Sequence, residues 1–113
     1  MEISVRNQGE VGVIRLKGGL RLGQPVDDFR TAVDRVFEDG AIYLVINITE
    51  MPMVDSSGIG LLVRSQVSAK KRGGSVKLVN PSAFTVQTLK ITGVLNIFEV
   101  ATDEQEAIQS FAG

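Results

Sequence analysis

The sequence predicts an α/β fold: a single domain in which an N-terminal β-hairpin is followed by β-α repeats, giving a mostly parallel sheet with packed helices. Three observations point there. Ile42 to Ile48 is almost continuously apolar, the pattern of a strand buried on both faces. Apolar residues recur at helical spacing on either side of it, so strands and helices alternate along the chain. Glycine or proline marks nearly every junction between them.

The elements follow in order. Ile3 and Val5 share one face of a short strand, and Asn7-Gln8-Gly9-Glu10 reads as a turn with Gly9 at positive φ. Val11 to Lys17 alternates, with Ile14 and Leu16 on one face and Val11, Val13 and Arg15 on the other. These two segments are the hairpin. Gly18-Gly19 ends it, and a loop leads to Pro25 at the start of a helix with Asp27 and Asp28 near its positive end. Val26, Phe29, Val33, Val36 and Phe37 are its inward face, and Gly40 closes it.

After the strand Ile42–Ile48, Thr49 to Val54 reads as a loop broken by Pro52. A second helix begins at Asp55-Ser56-Ser57, with an apolar stripe of Ile59, Leu62, Val63 and Val67. Lys70, Lys71 and Arg72 suit its negative end, and Gly73-Gly74 stops it. Val76–Val79 is a strand, and Asn80-Pro81 opens a third helix with Phe84 and Leu89 inward and Gly93 at its end. Ile97–Val100 is the last strand. Thr102 caps the last helix, Gln105 completes a capping box, and Ala107, Ile108 and Phe111 face inward. The order is ββαβαβαβα, and right-handed crossovers are expected between the parallel strands. No linker, low-complexity tract or repeat divides the chain, so one domain is expected over residues 1–113.

Composition removes several classes of function. There is no histidine and no cysteine. Ser-His-Asp triads, histidine or thiolate zinc sites and cysteine nucleophiles are therefore excluded. Formal net charge is −1, which favours no nucleic-acid partner. Asp27, Asp28 and Asp34 are read as acids of a helix start rather than metal ligands, and Lys70-Lys71-Arg72 as a solvated cluster. No cofactor motif is present: Gly58-Ile59-Gly60 lacks the third glycine of a dinucleotide fingerprint, and there is no Walker lysine. No apolar run reaches the length of about 20 residues that spans a bilayer. Met1-Glu2-Ile3-Ser4 lacks the basic start and apolar stretch of a signal peptide. A cytoplasmic protein without direct membrane insertion is expected.

The segment Val54-Asp55-Ser56-Ser57-Gly58-Ile59-Gly60 is the most informative. It joins the buried strand to a helix at the carboxyl edge of the sheet, where ligands of α/β proteins gather. Two readings apply. Asp and Ser are ordinary N-cap residues, and any helix starts this way. A helix N-terminus also favours an anion, so a phosphate on Ser56 would meet free N–H donors. Gly58 and Gly60 each weaken a helix by about 1 kcal/mol relative to alanine, which favours a role beyond helix stability. They would also let a partner's backbone come close.

Asp55-Ser56-Ser57-Gly58-Ile59-Gly60-Leu61-Leu62 resembles the signature of STAS domains, specifically bacterial anti-sigma factor antagonists. The resemblance runs through Gly18-Gly19-Leu20, the strand Ile42–Ile48, Gly73-Gly74 and Thr92-Gly93-Val94-Leu95 with Ile97-Phe98. It implies a non-enzymatic partner switch. The unphosphorylated antagonist binds an anti-sigma factor serine kinase and frees the sigma factor, phosphorylation releases the antagonist, and a serine phosphatase resets it. By the same resemblance Ser56 is the acceptor, Asp55 the neighbouring acid and Ser57 a second, capping serine. Leu20, Arg21, Leu22, Met53, Gly58 and Ile59 join them in the expected partner surface. For Leu20, Leu22, Met51 and Met53 the other reading is that of loop anchors tucked onto the core.

Arg21 departs from the family, which often carries an acid shortly after the Gly-x-Leu of the second strand. It is either a solvated loop charge or a cation for the Ser56 phosphate. The resemblance also admits a non-switching scaffold subunit of a stress-signalling or lipid-transport complex. A Ser-Asp hydrolase or a nucleotidase is a third reading, but without His, Cys or a base-like lysine near Ser56 it lacks an evident way to activate the serine.

Overall fold

The computed structural model describes residues 1–112. Gly113, the last residue of the expected 1–113 domain, lies outside the described residues. Strands β1 (Glu2–Gln8) and β2 (Val11–Lys17) form the antiparallel hairpin, with Ile3 opposite Leu16 and Val5 opposite Ile14. Gly9 turns the chain at φ 62. Strands β3 (Tyr43–Glu50), β4 (Val76–Val79) and β5 (Glu99–Ala101) then add in parallel, in the sheet order β1-β2-β3-β4-β5.

That order decides where the helices lie. Each right-handed crossover advances one strand in the same direction, so each helix lands on the same face. Helices α1 (Gln24–Glu38), α2 (Ser56–Lys71) and α3 (Ala83–Ile91) cover that face. Ile14, Leu16, Leu44, Ile46 and Ile48 meet Phe29, Leu62 and Leu89 there. A fully buried side chain such as Leu62 contributes about 2 kcal/mol. The last helix, α4 (Glu104–Ala112), follows β5 and covers the opposite face. Val13 and Val45 pack on Ala107 and Ile108, and Tyr43 stacks on Phe111 with centroids 4.6 Å apart.

Glu104 pins the start of α4 to the sheet. Its carboxylate accepts from Arg15 at 2.7 and 2.6 Å, from Arg6 at 3.0 Å and from Asn47 at 3.2 Å. These donors, Arg15 first, hold its pKa down to about 2 against the opposing effect of partial burial.

The structure departs from the sequence expectations in several places. Strand β3 runs two residues beyond Ile48, because β2 continues to pair with it as far as Lys17 opposite Glu50. Helix α3 starts at Ala83, not at Asn80-Pro81. Ser82 is its cap, its hydroxyl accepting from the Thr85 N–H at 3.1 Å, while Asn80 before the proline takes φ 52. Thr85 faces inward and Phe84 is 51% exposed, the reverse of the apolar reading. Ile97 closes a 3₁₀ turn, Leu95–Ile97, and the strand starts only at Glu99. Asp103, not Thr102, caps α4: its carboxylate accepts from the Gln105 N–H and its carbonyl from that of Ala107.

The buried stripe of α2 is rotated too. It runs through Gly58, Ile59, Leu61, Leu62, Ser65, Gln66 and Ala69, leaving Val67 48% exposed. Two polar residues lie inside because both are satisfied. The Ser65 hydroxyl donates to the Leu61 carbonyl. The Gln66 amide accepts from the Val76 N–H at 2.7 Å and donates to the Ile97 carbonyl at 2.5 Å.

Candidate functional site

The serine segment is built on a second run of parallel pairing beyond β2 and β3. After the register shift near Lys17, the loop following β2 stays beside the loop following β3. Gly18 N–H donates to the Glu50 carbonyl at 3.0 Å, Leu20 N–H to Met53 at 3.0 Å and Asp55 N–H back to Leu20 at 3.1 Å. Leu20 and Val54 form an isolated bridge and both are buried. The two loops therefore act as one platform at the carboxyl edge of the sheet.

Asp55 ends that platform and starts α2. Its backbone is extended, as an N-cap requires. Oδ1 accepts from the Gly58 N–H at 3.0 Å and Oδ2 from the Leu22 N–H at 2.8 Å. The Leu22 donor, then that of Gly58, holds the carboxyl below its ordinary range. Ser57 N–H and the charge of Arg21 add to this in the same direction.

Ser56 is the first residue of α2 and is exposed, while Ser57 is half-buried at the second helical position and is not the capping serine expected from the sequence, because Asp55 takes that place. The hydroxyl of Ser56 thus stands at the positive end of a 16-residue helix. The anion-friendly donors are not vacant, however. Asp55 already takes the N–H of Gly58 and that of Leu22. A phosphate on Ser56 would sit beside a carboxylate, not in an empty cradle, which narrows the expectation from the sequence.

The glycines divide. A Cβ on Gly58 would lie 2.6 Å from Val54 Cγ2, 2.8 Å from Leu20 Cγ and 2.9 Å from the Leu20 carbonyl oxygen. Gly58 therefore lets α2 press on the platform, and it does not open room for a partner. Gly60 is exposed, and a Cβ there would meet nothing within 4 Å.

The expected partner surface is likewise divided by burial. Leu20, Gly58 and Ile59 are buried, so they shape the platform from beneath rather than present side chains at its surface. Met51 is an anchor of the same kind. Leu22 is 76% exposed, Arg21 is exposed and Met53 is half-buried. Arg21 lies across the platform, with Nη2 2.7 Å from Met53 Sδ. Arg21, Leu22, Met53, Asp55, Ser56 and Ser57 thus form one patch around the start of α2. The sequence reading missed the tether from Leu22 to Asp55, since a backbone donor leaves no mark in residue identity. Among the described residues, no group of three or more His, Cys, Asp or Glu is placed to hold a metal. No helix there is long and apolar enough to cross a membrane.

The chain is similar to known proteins in sequence and fold. The family model of the STAS domain matches residues 2–107. The anti-sigma-B factor antagonist of Bacillus subtilis (strain 168) is 32% identical over 66 residues, which is 58% of this chain. The matched part spans only 61% of that relative's length. The solved structure of the anti-sigma factor antagonist SpoIIAA in its unphosphorylated form superposes with a TM-score of 0.85 at 25% identity, covering 99% of this chain and 97% of that one. The structure of the Bacillus cell fate determinant SpoIIAA in the phosphorylated form superposes with a TM-score of 0.77 at 26% identity, covering 97% and 99%.

Proposed function

The chain belongs to the STAS-domain family, and on that footing we propose that it is an anti-sigma factor antagonist that switches partners through phosphorylation of Ser56. Unphosphorylated, it binds an anti-sigma factor serine kinase and frees the sigma factor. Phosphorylated, it lets the kinase go, and a serine phosphatase returns it to the binding form. The cycle is cytoplasmic, and the antagonist is its substrate and ligand, not an enzyme.

One observation carries the reading: Ser56 is exposed at the first position of α2, directly after the capping Asp55. A kinase can reach that hydroxyl without unfolding anything. The modification adds about −1.5 to −2 charges near neutral pH. In an interface it brings that charge next to the Asp55 carboxylate, with repulsion and a desolvation cost. A penalty of only ~1.4 kcal/mol weakens binding tenfold. The isolated domain keeps its fold because the phosphate projects from the surface at a helix N-terminus, where negative charge is tolerated. That one SpoIIAA structure is of a phosphorylated form and another of an unphosphorylated form supports the same reading.

The test uses the cognate kinase with ATP and mass spectrometry. Phosphate is expected on Ser56, with Ser56→Ala bound but unmodified and Ser56→Glu bound at least about tenfold more weakly. Absence of modification together with unchanged binding of Ser56→Glu rejects the switch.

Arg21 favours a second reading, a non-switching STAS scaffold subunit of a stress-signalling or lipid-transport complex. It replaces the loop acid that the family often presents. Under that reading the kinase neither modifies Ser56 nor responds to its substitution.

A further inference from the structure

Charge is segregated along this chain. Residues 56–98 carry six of the 12 basic residues and none of the 13 acidic ones. Lys77 points to the α4 side, where Glu99 answers it at 3.2 Å. The other five are Arg64, Lys70, Lys71, Arg72 and Lys90, on α2, its C-cap and α3. All are exposed, and among the described residues none makes an ion pair.

Arg72 stacks on Phe37 at 4.2 Å and, with Arg64, lines the cleft against α1 beside Arg30 and Asp34, whereas apolar surface lies between the other three, Lys70, Lys71 and Lys90. Val67 and Ile97 are 48% and 38% exposed. They line a shallow groove of about 650 Å³ with Gln66, Lys70, Lys71 and Asn96. A second groove of about 440 Å³ continues on the other side of Asn96, lined by Lys90, Gly93 and Leu95. Gln66 sets the floor, because its amide ties the Ile97 carbonyl to β4 through the Val76 N–H.

We propose that this surface docks an acidic amphipathic helix of a partner protein. Unanswered cations around apolar grooves match acids flanking an apolar stripe. The remainder of the chain holds every acid, and so repels an anionic bilayer. A second copy is a poorer occupant: its acidic α1 turns Val26, Phe29, Val33 and Val36 into the core and presents no exposed apolar stripe to the grooves.

The docking surface is separate from the serine patch. Lys70 lies about 21 Å along α2 from Ser56, at the usual helical rise. That is about two and a half times the screening length at physiological salt. Docking is therefore independent of the charge on Ser56, and one molecule can hold this partner in either state of the switch. The inference does not rest on Ser56 being phosphorylated.

The test is an NMR titration of the full chain with a helical peptide of about 18 residues, with leucines at helical stripe spacing and glutamates beside them. A second peptide carries lysines in place of the glutamates. Shifts are expected at Val67, Lys70, Lys71, Asn96 and Ile97. Affinity should fall at least about tenfold in the Lys70→Glu/Lys71→Glu double variant, in Val67→Asp, and between about 0.05 and 0.5 M salt. Ser56→Glu should bind as the parent does, and circular dichroism melts should show each variant folded. Equal binding of the lysine peptide overturns the proposal, as do shifts confined to other surfaces. Two further results overturn it by naming another occupant. One is binding to phosphatidylserine vesicles but not to the acidic peptide. The other is self-association lost in the double variant with no peptide binding.

Discussion

Asp55 and Leu22 are joined across two loops: the Asp55 Oδ2 accepts the Leu22 N–H at 2.8 Å while the same carboxylate caps α2. The side chain that starts the helix therefore also fixes the loop beside it. The carboxylate holds the exposed Leu22 beside the start of α2, while Arg21 is held by its contact with Met53 Sδ and by the Val26 N–H, which donates to its carbonyl. Four predictions follow from this and neighbouring contacts.

Replacing Asp55 separates its two tasks. Asp55→Ala loses the cap and the tether and should cost about 1–2 kcal/mol in urea unfolding. Asp55→Asn keeps an oxygen for Gly58 but not a second one for Leu22, and should cost less. The carboxyl is depressed below its ordinary value of 3.8 in the fold. Its stabilisation is thus present above that value and is lost as pH falls through the lower folded value. The gap between the parent and Asp55→Asn should narrow from pH 7 to pH 3. A gap that stays constant would show that the carboxylate charge plays no part.

The two glycines of the segment should respond in opposite directions to alanine. Gly58→Ala forces a methyl group against Leu20 and Val54 and should destabilise by about 1–3 kcal/mol. Gly60→Ala meets open space on an exposed helix position and should stabilise by up to about 1 kcal/mol. Thermal melts of both variants decide this, and equal shifts would contradict the close approach at Gly58.

Glu104 should carry part of the acid sensitivity of the fold. Its pKa of about 2 lies below the ordinary 4.5. The stability it contributes is complete above 4.5 and disappears as pH falls towards 2. Glu104→Gln should destabilise by about 1–2 kcal/mol at pH 7, discounted because the arginines are solvent-exposed. Near pH 2 parent and variant should unfold alike. A difference that persists there would assign the effect to packing.

Arg21 should recognise the phosphate if Ser56 is modified, since its charge already reaches the adjacent Asp55 carboxyl. Phosphorylation should then raise the melting temperature of the parent more than that of Arg21→Ala. Equal shifts in the two proteins would leave Arg21 as a solvated loop charge.

The sequence by itself determined the element order and most of the core. Alternation in Val11–Lys17 assigned Ile14 and Leu16 to one face and Val11 and Val13 to the other, and the pleat keeps that separation. The apolar run at Ile42 marked the doubly covered strand, and the start of α2 was legible at Asp55-Ser56-Ser57, although the capping role expected of Ser57 belongs to Asp55. Family resemblance added the expectation that Ser56 is a phosphate acceptor, which residue spacing alone does not supply.

Tertiary structure decided what depends on contacts between distant segments. Glu104 meets Arg15 across 89 positions, and nothing local to Glu104 marks it as an anchor. Gln66 looks like a surface residue until Val76 and Ile97 surround its amide, and that partnership turns the buried face of α2 away from Val67. Leu20, Gly58 and Ile59 read as contact residues but are covered, since the pairing of the two loops brings the helix down on them. Local spacing specifies which groups a residue can satisfy nearby. Burial and long-range partners are fixed only when the sheet and helices close around them.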